Sequence, residues 1–168
     1  MLAILGMVGL FSIAFVGGSL AEYFVHRLMH RSRFMAAAHR RHHVKNSTGG
    51  VLHEFIEHCR GLPPALVIAA LLAWTLGIAS GAALLAGAIA YGAFSAYAHQ
   101  LQHENPMRCF WMRMPIHYVH HANDMWGHNF GVGTDLWDRL FGTYRKVQWP
   151  GEKEREAPRR GMLEIRWL

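Results

Sequence analysis

Residues 2–30 read LAILGMVGLFSIAFVGGSLAEYFVHRLMH, and the fold turns on the change of character along this stretch. Leu2 to Ala21 carries no charge, a run of about twenty residues that at 1.5 Å per residue crosses the roughly 30 Å hydrocarbon layer of a bilayer. The stretch then ends in His26-Arg-Leu-Met-His30, two imidazoles four positions apart and so on one face of a helix. A cleaved signal peptide is the competing reading, with Ser19 and Ala21 as its small-residue cleavage pattern. Against it, the basic leading region is missing and the apolar run is long for one.

Further along, the design recurs. Leu62 to Ala79 and Ala82 to Ala98 are apolar, the first opened by Pro63 and Pro64 and the two separated by Ser80-Gly81, a turn signal. A tight helical hairpin is predicted. Each arm is near the short end of the spanning range, so a re-entrant hairpin is the alternative to two full crossings. His99-Gln-Leu-Gln-His103 extends the last arm, and Asn105-Pro106 is predicted to end it. The fold class expected is an all-α integral membrane protein of about three transmembrane or re-entrant helices with a histidine-rich helical cap. Residues 1–147 form one membrane-embedded domain, followed by a polar C-terminal tail, 148–168.

Composition supports this segregation. The chain of 168 residues is 52% hydrophobic and only 17% charged, and its mean hydropathy of +0.07 averages strongly apolar blocks with strongly polar ones. No Lys or Arg lies between Met1 and His26 or between Gly61 and Met107. With three crossings, the positive-inside rule makes the histidine side cytoplasmic and puts the N-terminus outside, in the inner membrane if the source is bacterial. The net charge of +6 is placed as that rule requires, and no nucleic-acid-binding motif accompanies it, so nucleic acid is excluded as a partner. Cys59 and Cys109 are too few for a disulfide framework. Asn46-Ser47-Thr48 fits a glycosylation sequon but lies on the side expected to be cytoplasmic.

All 13 histidines fall in the polar segments. Ten of them form two repeats of one pattern, an H-x-x-x-H pair at the end of an apolar helix and then an H-x-x-H-H triplet: His26 and His30 with His39, His42 and His43; His99 and His103 with His117, His120 and His121. No Gly or Pro interrupts Leu20 to Thr48, so the first helix is predicted to continue past the lipid, and Pro115 is predicted to open a short helix carrying the last triplet. Helical spacing lets each cluster aim several imidazoles at one point, which is a metal-ligand geometry. Neutral imidazole suits iron, zinc, copper and nickel, and ten ligands over two ions leave a free position on an octahedral metal, which favours iron. Purified protein can still carry zinc. His53-Glu54-Phe-Ile-Glu57-His58 is not a zincin site, since its histidines are five apart. The chain has no Glu-x-x-His pair of the carboxylate-rich di-iron bundles and no histidines inside the spans for haem.

These four boxes, followed by Asn129-Phe-Gly131 and Leu136-Trp-Asp-Arg-Leu-Phe-Gly-Thr143, resemble the fatty acid hydroxylase and sterol desaturase superfamily over roughly Glu22 to Tyr144. The short chain is similar to compact bacterial members. The resemblance implies a membrane enzyme in which the ten box histidines hold two metal ions and dioxygen is used to hydroxylate or desaturate a fatty acyl, sterol or carotenoid lipid. Electrons would come from a separate ferredoxin- or cytochrome-type carrier. A non-catalytic metal-binding or transport protein is the alternative from another class, although the spans offer little polar lining apart from Glu22. No catalytic residue beyond the metal ligands is indicated. His128, Asn129 and Asp124 are candidates to support ligating imidazoles through their second N–H, and loop capping is the other reading of Asn129 and Asp124. His53 and His58 are expected at the surface or interface. Asp138 and Arg139 read as structural charges on a short amphipathic helix that places Leu136, Leu140 and Phe141 on one face, under the site or on the bilayer.

Overall fold

The computed structural model describes residues 1–46, 48–158 and 160–168, the side chains of residues 33–35, 38 and 45 excepted. Ser47 of the sequon lies outside the described residues. The helices are α1 (Leu2–Arg31), α2 (Arg33–Lys45), α3 (Val51–Cys59), α4 (Pro63–Leu76), α5 (Ile78–Glu104), α6 (Ile116–Ala122), α7 (Leu136–Leu140) and α8 (Glu152–Glu156), with a 3-10 turn at Pro106–Arg108. No strand occurs among the described residues.

Two long apolar helices organise the molecule. α1 and α5, about 45 and 40 Å long at 1.5 Å per residue, pack side by side. Gly87 meets Phe11, Tyr91 meets Phe15 and Gly18, and Ser95 meets Glu22, so the two helices run parallel and bring both histidine pairs to the same end. The approach is closest at Gly87, where a Cβ would run into the Phe11 carbonyl. Apolar side chains such as Ile4, Leu5, Val8, Ile13 and Val16 on α1, and Leu66, Val67, Leu71 and Trp74 on α4, point outward. That is the surface a bilayer requires and water would penalise.

Parallel neighbours need a return between them, and α4 supplies it. Its 14 residues reach about 21 Å, short of the hydrocarbon thickness. α3 and α4 together form a pair bent by 62°, a broken or re-entrant third candidate span beside the two long ones. The hairpin turn lies earlier than the sequence suggested. It falls at Gly77, whose φ of 96° a side chain would disfavour, while Ser80 and Gly81 belong to α5. Gly81 serves packing instead, because a Cβ there would strike the Ala69 carbonyl of α4.

Ser32 also departs from expectation. The predicted continuous helix through Thr48 breaks there (φ −82°, ψ 128°), with the Ser32 N–H still bonded to Leu28 O at 2.7 Å. One extended residue folds α2 back, so that its histidines face those of α1 rather than trailing away from the membrane. The ends foreseen at Asn105 and Pro115 are where α5 stops and α6 starts.

The cap has its own core, in which Leu101, Met112, Met114, Ile116 and Val119 are buried. From the segment 148–168, expected as a polar tail, Ile165 is part of this core and Trp149 packs against it. The segment also completes α3. The N–H groups of Val51 and Leu52, orphans at a helix start, donate to Arg166 O at 3.1 Å and Trp167 O at 2.9 Å. Short polar runs concealed the two apolar anchors in the sequence.

Glu22 is the one acid within the apolar length of α1, and it is satisfied. Its carboxylate accepts from Ser95 Oγ, Tyr91 Oη (2.5 Å) and the Gly133 N–H (3.2 Å), with His58 Nε2 3.4 Å away. Those bonds lock α1 to α5, α3 and the 130s loop. A bulky residue at the tightest helix contact should therefore be costly: Gly87→Val is expected to destabilise the protein by about 1–3 kcal/mol. Gly92→Ala, which meets only ordinary contacts of 3.7 Å and beyond and removes a glycine from a helix interior, should not lower the melting temperature in detergent.

Candidate metal centre

Nine of the ten box histidines gather into two groups whose candidate ligand atoms lie within 4.8 Å of one another: His26, His30, His39, His43 and His120 in one, His42, His99, His103 and His117 in the other. In the first group, Nε2–Nε2 separations are 3.1 Å for His26–His39, 3.3 Å for His26–His30, 2.9 Å for His30–His39, 3.1 Å for His39–His43, 3.0 Å for His30–His120 and 3.2 Å for His43–His120. These cannot all be hydrogen bonds, because a neutral ring carries one proton for one acceptor. Two of the five rings have already placed theirs. His26 Nδ1 donates to Phe130 O at 2.5 Å and His120 Nδ1 to His128 O at 2.7 Å, which leaves bare lone pairs on both Nε2 atoms. Lone pairs facing one another repel unless a cation lies between them. Two nitrogens at about 2.1 Å from one ion and at right angles are about 3.0 Å apart, so the donor set fits a single metal ion.

The second group is similar. His103 Nε2 is 3.2 Å from His117 Nε2, and the His99 ring is 4.6 Å from the His117 ring, centroid to centroid. His121 belongs beside it, with its ring 4.7 Å from His42 and His103 and both its nitrogens buried without a hydrogen-bond partner. Counting it, each group has five imidazoles. They touch where His43 stacks on His121 at 4.0 Å.

The groups are not the two sequence repeats. His42, the middle histidine of the first triplet, joins the pair from α5, and His120, the middle one of the second, joins the pair from α1. Helical geometry permits the exchange. His39 and His43, like His117 and His121, are four apart and share a face, whereas neighbours such as His42 and His43 diverge by about 100°.

The loop after α6 supplies the carbonyls that hold His26 and His120, and buried polar side chains fix that loop. Asp138 accepts from the N–H groups of Phe130 (2.8 Å) and Gly131 (2.7 Å) and from Thr143 Oγ1 (2.7 Å), and Thr143 reaches Tyr23 Oη at 2.9 Å. Asp138 is thus structural, as is Arg139, which pairs with Asp135 at 2.7 Å. On α7, Leu136, Leu140 and Phe141 are exposed, so this apolar face does not lie under the site; buried Asp138 does. Asn129, at φ 60°, grips the main chain of Arg145 in both directions, at 2.8 and 2.9 Å, and so caps the loop rather than orienting an imidazole. His128 supports His120 through its carbonyl. Asp124 is exposed, and its charge acts on His30 and His43.

Several contributors had no legible signal. Main-chain carbonyls of Phe130 and His128 leave no trace in a sequence pattern. Trp126 covers the first group, stacked on His43 at 5.3 Å and edge-on to His30 at 4.9 Å. Gln102, fully buried, accepts from the His117 N–H at 3.0 Å and donates to Val132 O at 2.7 Å. Glu54, within the segment that is no zincin site, stands 2.8 Å from His99 Nδ1. His58 is turned inward, toward Glu22 and Ser95. Cys109 belongs to neither group, and burial pushes its thiol up to about 12.

The sequence model of the family described as fatty acid hydroxylase matches residues 11–143, a range that takes in all ten box histidines. The chain belongs to the fatty acid hydroxylase family. No solved structure matches it. Membership joins the apolar helices and the histidine cluster into one account, a metal-dependent oxidoreductase of the membrane.

Burial and mutual repulsion keep the rings neutral in the metal-free protein. Burial first, then neighbouring imidazoles, lowers His39 to about 2; burial lowers His120 to about 3, and His117 falls well below 6.5. The unfolded chain therefore binds protons below about pH 6.5 that the folded cluster refuses, and stability falls as pH falls. The metal-free protein should melt at progressively lower temperature between about pH 7 and pH 5, and a scan with all ten box histidines replaced by Gln should lose that slope.

Proposed function

We propose that this protein is a dioxygen-dependent lipid hydroxylase with two metal ions, iron in the working enzyme, held by His26, His30, His39, His43 and His120 and by His42, His99, His103, His117 and His121. The observation that carries this reading is the pair of touching five-imidazole groups at one end of two parallel apolar helices. Bound there, the ions would supply activation of dioxygen and oxidation of a lipid C–H bond, with electrons from a separate ferredoxin- or cytochrome-type carrier.

The residues of the chain do the positioning. Phe130 and His128 carbonyls fix the tautomer and tilt of His26 and His120. Trp126 and Phe130 place aromatic faces against the rings and limit water at the first group. On α1, Phe24 and Val25 just before the histidine pair and Leu28 within it are exposed, so a lipid chain in the bilayer reaches the site's edge without being drawn fully into water. The fatty acyl, sterol or carotenoid carbon attacked is set by how deep that chain lies. The lysines and arginines cluster at the cap, which supports a cytoplasmic metal site with the N-terminus outside, and their charge suits an acidic electron carrier.

Desaturation shares the first hydrogen abstraction with hydroxylation, and one experiment separates them. Cells expressing the protein or its His120→Ala variant are grown under isotopically labelled dioxygen, with a competent electron donor, and their lipids are compared by mass spectrometry. A lipid gaining one labelled oxygen only with the intact protein is the expected result. Loss of two hydrogens instead makes the protein a desaturase. Neither product, with iron bound and fatty acids, sterols and carotenoids all offered, overturns the oxygenase reading in favour of metal handling.

A further inference from the structure

The two histidine groups differ in what holds them. In the first, ring N–H groups end on neutral carbonyls of the loop after α6. In the second, His99 Nδ1 faces the Glu54 carboxylate at 2.8 Å, and both side chains are nearly enclosed, at 11% and 13% exposure. Granted an ion in each group, we propose that Glu54 is a positioning residue of the second one, setting the orientation of His99 and offsetting the charge of that ion.

The placement of Glu54 supports this. It sits in the first turn of α3, a helix of nine residues anchored at both ends. At its start, Val51 and Leu52 donate to the carbonyls of Arg166 and Trp167. At its end, His58 Nδ1 donates to Glu54 O at 2.7 Å while its Nε2 lies 3.0 Å from Ser95 Oγ, tying α3 to α5. A carboxylate carried on a fixed helix can hold an imidazole in one orientation, which a mobile surface acid cannot. The second requirement is electrostatic: five neutral imidazoles bring no charge to a buried divalent ion, and burying an uncompensated charge is costly. A carboxylate behind a ligating ring makes that ligand more basic and places negative charge within a few ångströms. The His53–His58 segment is thus not a metal-binding motif of its own but the outer support of another.

Cobalt(II) titration of the metal-free protein in detergent tests this, with visible absorption reporting the donor set and elemental analysis the number of ions. Wild type should bind two ions. Glu54→Gln, which keeps an acceptor but removes the charge, should bind one ion normally and the other about 10- to 100-fold more weakly, and Glu54→Asp should recover part of the loss. In a His99→Ala background, Glu54→Gln should add nothing further, a non-additivity that a general packing defect does not produce. Two ions bound by Glu54→Gln with wild-type affinity overturn the proposal. So does equal weakening of both ions together with a lower melting temperature of the metal-free variant, which makes Glu54 a fold residue. Wild type binding no more than one ion overturns the two-ion reading itself, and the proposal with it.

Discussion

Imidazole nitrogens held about 3 Å apart, two of them with lone pairs already committed to face inward, are the constraint around which the rest of the molecule is arranged. Such a cluster is unfavourable in itself and favourable around a cation, so the fold must hold the rings together by other means. The means are visible. α1 and α5 are parallel and locked through glycine contacts and the Glu22 network, Ser32 turns α2 back over them, and Asp138 fixes the loop whose carbonyls orient His26 and His120. Each of these is an ordinary structural device placed where a strained cluster needs support.

The membrane contributes as much as the histidines. With apolar side chains on the outer faces of α1 and α5, the bilayer supplies the solvent for those faces, and the polar chemistry is kept to the inner faces and one end. Glu22 tests the rule, because an acid at that depth persists only where hydroxyl, imidazole and backbone donors converge on it. The cap closes over the far side through its own small core, to which the C-terminal segment adds Ile165 and Trp149. That segment also satisfies the start of α3, and through α3 the chain's last residues are coupled to Glu54 and His99.

Family membership and geometry answer different questions. The match over residues 11–143 says which chemistry such chains are built for. The arrangement of side chains says how this one holds its site, and it shows an asymmetry between carbonyl-supported and carboxylate-supported imidazoles that the histidine boxes do not announce. The two groups are related by an exchange of middle histidines, so neither half of the chain can assemble a complete site alone.

By itself the sequence determined the apolar helices, the helix ends at Asn105 and Pro115, and that histidines from both halves collect at one end, because these depend on local hydrophobic runs, on proline and on i,i+4 spacing. Partition of the ten between two groups was decided only by tertiary structure. The crossing of His42 and His120 depends on how α2 and α6 are rotated against α1 and α5, and the turn at Ser32 that permits it carries no Gly or Pro to mark it. The supports of the cluster were hidden for the same reason. Phe130 and His128 act through main-chain carbonyls, which every residue possesses. Glu54 and His99 lie 45 positions apart in sequence and meet because α3 is pinned across α5, a long-range contact that no local pattern encodes.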